Sequence, residues 1–210
     1  MSKLFLTSSV HAVAKDIAKN LDLSSKNQLV FITTAAEVVT GDMSWLADDR
    51  NALINAGFST TDYSVTNKTK NQLQADLSSY DYIYLSGGNA PYLLEQSIKS
   101  GFRELVRELV NNEGKTYIGT SAGSIVAGPK CPDYLYDEKK LPKEEQRRSY
   151  GFVNFTILPH WGSEYFKQRY LNERLEIAYK ETQVPLILLT DNHYIIVQDD
   201  KFKIITVNIH

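Results

Sequence analysis

The 210-residue sequence predicts an α/β fold built on a mostly parallel sheet. Short apolar runs rich in β-branched and aromatic residues alternate with longer amphipathic segments, which is typical of parallel strands joined by crossover helices. Hydrophobic residues form 42% of the chain and charged residues 23%, a composition that predicts a folded core. Because this length suits one α/β unit, we expect a single domain over residues 1–210.

The strands are predicted where the apolar runs are short and rich in residues that favour extended backbone. The predicted strands are Lys3–Thr7, Gln28–Thr33, Ser59–Tyr63, Tyr82–Leu85, Thr116–Gly119, Phe155–Leu158, Pro185–Leu189, Tyr194–Val197 and Lys203–Val207. The last two should form a C-terminal antiparallel hairpin, because Asp199 and Asp200 between them favour a turn. Such an addition at the edge of a mainly parallel sheet is common.

Helices are predicted in the amphipathic segments between the strands. The predicted helices are Ala12–Leu21, Trp45–Ala56, Lys70–Leu77, Pro91–Ser97, Phe102–Asn112, Ser121–Val126 and Tyr165–Lys180. Pro91 suits a first helical position and Gly114 a helix end. The polar segment 130–149 has no predicted element, and its length is typical of a functional loop, so we expect a mobile excursion that could close as a lid.

Charge and composition argue against several partners and sites. A formal net charge of -2 argues against a nucleic acid partner, since phosphate binding calls for a basic surface. No apolar run is long enough for a signal peptide core or a membrane span, which predicts a cytoplasmic protein without a membrane partner. Cys131 is the single cysteine, so it cannot form an intramolecular disulfide. Its loop position between Lys130 and Pro132 suits a small neutral residue better than a nucleophile.

The most informative motif is the run 117–124, Y-I-G-T-S-A-G-S, in which a predicted strand leads through G-x-S-x-G into a helix. This arrangement is typical of a nucleophile elbow, where the serine hydroxyl projects from the edge of the sheet. Ser121 would then lie beside the unpaired N–H groups of the helix N-terminus, which stabilise developing negative charge. An ordinary strand-to-helix turn with small residues is the alternative interpretation.

A catalytic serine needs a base, and four histidines are available. His160 follows the predicted strand Phe155–Leu158 and should lie at the carboxyl edge of the sheet, where ligands and chemistry gather. We therefore predict His160 as the base and keep His193, in a predicted turn, as the alternative. His11 and the terminal His210 are interpreted as surface residues.

The acid that orients the histidine is less determined by the sequence. Asp133 lies between Ser121 and His160, in the order serine, acid, histidine that one group of triads follows. It is predicted to accept the Nδ1–H of His160 and to hold the tautomer whose Nε2 faces the serine. The competing carboxylates are Asp137, Glu138 and Asp191.

A second oxyanion donor is suggested by the segment 85–91, L-S-G-G-N-A-P, which is another predicted strand-to-helix junction. Adjacent glycines permit a backbone conformation that aims an N–H outward. If the N–H groups of Gly88 and Ala122 converge, they form a two-donor hole. A plain strand-to-helix turn is the alternative.

Three of these segments together, S-G-G-N at 86–89, G-T-S-A-G-S at 119–124 and L-P-H at 158–160, resemble the peptidase E (aspartyl dipeptidase) family of serine peptidases. The resemblance spans nearly the whole chain in motif order and spacing. It implies a flavodoxin-like three-layer sandwich of the class I glutamine amidotransferase type. A glutamine amidotransferase itself is disfavoured, because its nucleophile is cysteine.

The resemblance also implies a Ser-His-acid peptidase that cleaves dipeptides, typically after an N-terminal aspartate, without a metal or organic cofactor. Ser121 is then the nucleophile, His160 the base, and Gly88 and Ala122 the oxyanion donors. Asn89 is implied to position a small peptide substrate. The acid remains open on this basis as well, and a homodimer is possible.

Recognition of an aspartyl side chain calls for a cation with bidentate reach. Arg169 or Arg174, on the predicted helix after His160, could supply it, although both also suit an exposed helix face. Two functions of other classes remain as alternatives. One is an esterase of the α/β-hydrolase type, and the other is a non-catalytic protein of the same fold that binds a small molecule or a partner.

Overall fold

The structure, a computed structural model, describes residues 3–181, 184–199 and 201–208. The strands are β1 Lys3–Thr7, β2 Gln28–Ile32, β3 Ser59–Tyr63, β4 Tyr82–Leu85, β5 Thr116–Thr120, β6 Thr156–Leu158, β7 Leu186–Leu188, β8 His193–Gln198 and β9 Lys201–Thr206. The helices are α1 Val10–Ala18, α2 Ser44–Asn55, α3 Lys70–Leu77, α4 Ala90–Ser100, α5 Phe102–Asn111, α6 Ala122–Ile125, α7 Glu144–Arg147, α8 Glu164–Arg169 and α9 Leu175–Glu181.

The main sheet contains seven strands in the order β3-β2-β4-β5-β1-β8-β9. The first five run parallel to one another, and β8 and β9 add to β1 as an antiparallel pair. The prediction of an α/β fold with a mostly parallel sheet and a C-terminal antiparallel hairpin is therefore confirmed. Asp200, one of the two residues predicted for the hairpin turn, lies outside the described residues.

Helices cover both faces of the sheet. Strands β4 and β5 are buried at every residue, as expected for parallel strands with helices on both sides. One core forms between the sheet and α1 and α2, around Phe5, Phe31 and Tyr84. The second forms on the opposite face against α3 to α6, around Leu6 and Tyr117. This is the three-layer arrangement that the resemblance implied.

Strands β6 and β7 form a separate parallel pair beside the main sheet. The sequence places these strands correctly along the chain but does not reveal this separation. Because neighbouring parallel strands end at the same edge, the residues that follow β6 and β7 lie side by side. The backbone N–H of Trp161 donates to the carbonyl of Leu189 at 3.0 Å, which joins the two strand ends.

The polar segment 130–149 is held by contacts at its base. Lys130 and Arg148 form an isolated antiparallel bridge, and the N–H of Cys131 donates to the carbonyl of Arg147 at 2.8 Å. The segment also contains the short helix α7, which the sequence analysis did not predict. Its role as a lid remains a prediction.

The helix predicted over residues 165–180 is present but is not uniform. A π-helical segment, Tyr170–Arg174, joins α8 to α9. Within the described ranges, no helix is long and apolar enough to cross a membrane.

Candidate active site

Ser121 lies at the sharp turn between β5 and α6. Its backbone is strained for a residue with a side chain, with φ 48° and ψ -103°. The turn is tight enough that a Cβ on Gly119 would lie 2.7 Å from the backbone carbon of Gly123, and one on Gly123 would collide with the carbonyl of Leu85. Both flanking positions therefore require glycine, which is the physical reason for the G-x-S-x-G pattern.

His160 follows β6 and faces Ser121. Its Nε2 lies 3.0 Å from the Ser121 Oγ, and its Nδ1 lies 2.7 Å from the Oδ1 of Asp191. The His160 backbone is left-handed, with φ 59°, which is uncommon for a residue other than glycine. Serine, histidine and carboxylate thus form one hydrogen-bonded chain at the carboxyl edge of the sheet, the geometry expected of a hydrolytic triad.

The structure corrects the prediction of the acid, because the carboxylate against His160 belongs to Asp191. Asp133 instead forms ion pairs with Lys130, at 2.8 Å, and with Arg147. Serine-acid-histidine order favoured Asp133, but order along the chain does not determine which loops meet. The sequence does contain a signal for Asp191, because this residue follows a predicted strand. If that strand pairs in parallel with the strand before His160, Asp191 and His160 lie side by side.

Of the other carboxylates that competed for this role, Asp137 accepts the N–H of Lys139 at 3.0 Å. The side chain of Glu138 lies outside what the structure describes.

Asp191 is held in its charged form. Burial opposes ionisation, but hydrogen bonds from His160 and Ser8 outweigh it, so the pKa of Asp191 lies below its ordinary value. An ionised carboxylate in this position can stabilise a positively charged imidazole.

The junction of β4 and α4 lies beside Ser121. A Cβ on Gly87 would lie 3.5 Å from the Cβ of Ser121, and a Cβ on Gly88 would collide with the carbonyl of Ala35. Gly88 also has φ 127°, so glycine is required there on two counts. The adjacent Asn89 caps α4, its side chain accepting the N–H of Tyr92 at 2.9 Å.

Helix α8 contributes an aromatic side chain that the sequence analysis did not single out. The ring of Phe166 stacks on His160, with 4.6 Å between the ring centroids and 8° between their planes. Tyr170, stacked on Phe166, is buried and donates its hydroxyl to the carbonyl of Pro159. These contacts fix the imidazole plane from the side of α8.

The two arginines considered for substrate binding lie on the same helical run as Phe166. Arg169 is exposed, with its guanidinium 5.9 Å from the ring centroid of Tyr165. Arg174 is half-buried and packs between Tyr134 and Tyr170, at 5.8 Å and 5.3 Å from the ring centroids. Arg174 is therefore the more closely packed of the two.

His193 and His11 do not form the chain with Ser121. His193 begins β8 and contacts the hydroxyl of Thr190 through Nδ1. His11 lies in α1 and pairs with the buried Asp49 at 3.4 Å. His210 lies outside the described residues, and Cys131 is buried. In the part of the chain that the structure describes, no cluster of three or more His, Cys, Asp or Glu side chains could hold a metal ion.

The His11–Asp49 pair makes stability depend on pH. A hydrogen bond to Asp49 raises the pKa of His11 above the ordinary value of 6.5 and outweighs the opposing effect of burial. Protonation therefore favours the folded state. The stabilisation is complete below pH 6.5 and is lost as the pH rises through the pKa of the folded protein.

We expect His11→Asn to lower the free energy of unfolding more at pH about 5 than at pH about 9. The difference between the two losses should stay under about 1 kcal/mol, because the imidazole is half exposed. Thermal unfolding of both proteins at the two pH values measures this. An equal loss at both values would contradict it.

Comparison with known proteins decides the family of this chain. The family model described as "Peptidase family S51" matches residues 4–205. The chain belongs to peptidase family S51. The protein is accordingly a serine peptidase, and the resemblance to peptidase E that the motifs indicated is confirmed.

Several relatives of this S51 peptidase cover most or part of its length. An uncharacterized peptidase of Pasteurella multocida is 30% identical over 99% of both chains. A probable alpha-aspartyl dipeptidase of Drosophila melanogaster is 28% identical over 63% of this chain and 56% of its own. A solved structure from Listeria monocytogenes EGD-e, described as a "Putative Peptidase E Protein", is 24% identical, covers 99% of this chain and 100% of its own, and has a TM-score of 0.84. This last similarity shows the shared fold.

Proposed function

We propose that this S51 peptidase hydrolyses dipeptides or short peptides by acyl transfer, with Ser121, His160 and Asp191 as its catalytic triad. The observation that carries the proposal is the continuous hydrogen-bond chain from the Ser121 Oγ through both nitrogens of His160 to the Asp191 carboxylate. Because the chain belongs to a peptidase family, we propose that the bond cleaved is a peptide bond.

The mechanism follows from this geometry. His160 takes the hydroxyl proton through Nε2 as the Ser121 Oγ attacks the scissile carbonyl carbon, and Asp191 stabilises the resulting imidazolium through Nδ1. His160 then gives the proton to the leaving amine, which departs and leaves an acyl-enzyme ester on Ser121. Water attacks that ester while His160 takes a proton from it, and His160 then returns the proton to the Ser121 Oγ as the acid product leaves.

The tetrahedral intermediate carries an oxyanion that needs hydrogen-bond donors. We assign the backbone N–H groups of Gly88 and Ala122 to this role. Ala122 begins α6 directly after the nucleophile, and the glycine junction of β4 and α4 lies against the Ser121 side chain. Each such donor contributes about 3 kcal/mol to lowering the barrier in hydrolases of this type.

A cleft lies beside this junction, and its lining includes Asn89 but none of Ser121, His160 and Asp191. A cleft of about 560 Å³ lies between α4 and the segment 130–149, and its lining includes Asn89, Tyr92, Tyr136 and Gln146. This volume is in the range of sites for small ligands. Asn89 lies next to Gly88 and also lines the cleft, which supports its proposed role in positioning the substrate.

We further propose a preference for an N-terminal aspartate, supported by the probable alpha-aspartyl dipeptidase among the relatives. Arg169 and Arg174 are the proposed cations for the aspartyl carboxylate. Both lie on the helical run whose Phe166 stacks on His160, which places that run on the side of the triad. Arg174 is favoured, because its packing between two aromatic rings lowers the entropy lost on binding.

The purified protein should be incubated with Asp-Leu, Asn-Leu, Glu-Leu, Leu-Leu and N-acetyl-Asp-Leu, and the released leucine measured. Asp-Leu is expected to be cleaved, and Asn-Leu, its uncharged match, much more slowly. Equal cleavage of Asp-Leu and Asn-Leu would contradict the aspartate preference and leave a broader peptidase. Hydrolysis of p-nitrophenyl acetate without cleavage of any peptide would contradict the peptidase proposal and favour an esterase.

A further inference from the structure

Ser8 is a buried residue that connects the histidine and the acid of the proposed triad. It lies in the turn between β1 and α1, and its side chain is fully buried. Its hydroxyl lies 2.6 Å from the Oδ1 of Asp191, 2.6 Å from the backbone N of His160 and 3.3 Å from the His160 Nδ1. These partners are 183 and 152 residues away along the chain.

The chemistry of the partners determines the direction of these hydrogen bonds. A backbone N–H can only donate, so the Ser8 oxygen accepts from His160. An ionised carboxylate can only accept, so the single hydroxyl proton of Ser8 is donated to Asp191. The Oδ1 of Asp191 accepts from the Nδ1–H of His160 as well, which leaves Nε2 without a proton and able to accept from Ser121.

Ser8 also supports the uncommon backbone conformation of His160. The left-handed φ of 59° is costly for histidine and persists only where its surroundings hold it. The bond from the His160 N–H to Ser8 holds the backbone on one side of the residue. On the other side, the carbonyl of His160 accepts the N–H of Ser163 at 3.1 Å.

We propose that Ser8 is a positioning residue of the active site, which fixes the His160 backbone and the Asp191 carboxylate relative to each other so that Nε2 faces Ser121. The inference deepens the proposed peptidase function and rests on it. Ser8 does not touch the reacting atoms and acts through Asp191 and His160. A misplacement of about 1 Å in such a group is enough to cost on the order of a hundredfold in rate.

The test compares Ser8→Ala with Ser9→Ala, the same chemical change one residue further along. The Ser9 hydroxyl contacts the Nδ1 of His11, at 2.9 Å, and not the triad. Two rates are measured for each protein: kcat and KM on the cleaved dipeptide, and the rate at which a fluorophosphonate probe labels Ser121. Thermal unfolding gives the stability of each variant.

Ser8→Ala is expected to lower kcat and the labelling rate by about ten- to a hundredfold, with KM within about twofold of the wild-type value. Ser9→Ala is expected to keep the wild-type rates. In an Asp191→Ala background, Ser8→Ala is expected to cost less than about threefold in labelling, because residues that act as a unit are not additive.

Wild-type rates in Ser8→Ala would overturn the positioning role. The same would follow if Ser8→Ala lowered the labelling rate by the same factor in the wild-type and Asp191→Ala proteins. A Ser9→Ala loss as large as that of Ser8→Ala would do the same. Failure of the peptidase proposal is recognised separately, because no dipeptide would then be cleaved by the wild-type protein while the labelling rates of the variants still report on Ser8.

Discussion

Ser121→Ala is expected to lower kcat on the cleaved dipeptide by at least about 10⁴-fold, because loss of a triad nucleophile leaves only the oxyanion hole and binding to catalyse the reaction. The melting temperature should stay close to that of the wild-type protein. Alanine keeps the Cβ that the turn already accommodates, and the N–H of residue 121 still donates to the carbonyl of Thr7, at 3.0 Å in the structure. Released amino acid and thermal unfolding measure the two quantities.

Ser124→Ala provides the matched control in the same turn. The Ser124 hydroxyl accepts the N–H of Thr7 at 2.9 Å and lies 2.7 Å from the carbonyl of Thr7, so it joins β1 to α6. Its loss removes these buried hydrogen bonds and is expected to destabilise the fold by about 1–3 kcal/mol. The two substitutions should therefore have different effects: Ser121→Ala loses activity, and Ser124→Ala loses stability. Wild-type turnover in Ser121→Ala would exclude Ser121 as the nucleophile.

Asp191→Asn is expected to lower kcat by about 10³- to 10⁴-fold with little change in stability. The asparagine side chain is almost the same size, but it supplies no charge for the imidazolium and favours the wrong imidazole tautomer. The chain offers a direct comparison in Asp133→Asn, since Asp133 is the carboxylate that sequence order favours. The measurements are kcat on the cleaved dipeptide and the free energy of unfolding.

Asp133→Asn is expected to have the opposite profile. Asp133 pairs with Arg147, which is buried, so its neutralisation leaves a charge with less compensation and should cost roughly 1–3 kcal/mol of stability. Its kcat should stay close to the wild-type value at a temperature where the variant is folded. A large loss of kcat in Asp133→Asn together with wild-type kcat in Asp191→Asn would show that Asp133, and not Asp191, is the acid of the triad.

Much of the fold could be predicted because its determinants are local. The apolar runs of β1, β2, β4 and β5 mark buried parallel strands, and their predicted bounds agree with the observed strands to within a residue. The main differences concern how elements associate. The pairing of β6 with β7 outside the main sheet depends on side chains far apart in sequence, and no periodicity reports it.

The same distinction applies to the site. Gly119 and Gly123 surround Ser121 within one turn of chain, and the close approach of backbone at both glycines explains why the motif is visible in the sequence. His160 was predicted from its place after a strand, and the structure puts its Nε2 3.0 Å from the Ser121 Oγ. Phe166 had no such signal, since an aromatic residue on a helix is more often part of a core.

By itself, the sequence determined the parallel sheet, the serine turn and the histidine after β6, because each depends on residues adjacent in the chain. Only the tertiary structure decided that Asp191, rather than Asp133, is the carboxylate against His160, and that Ser8 joins the two. A loop carboxylate or serine has no local pattern that distinguishes a solvated group from a bonded one. Its partner is selected by which strands become neighbours, here β6 beside β7 and β8 beside β1.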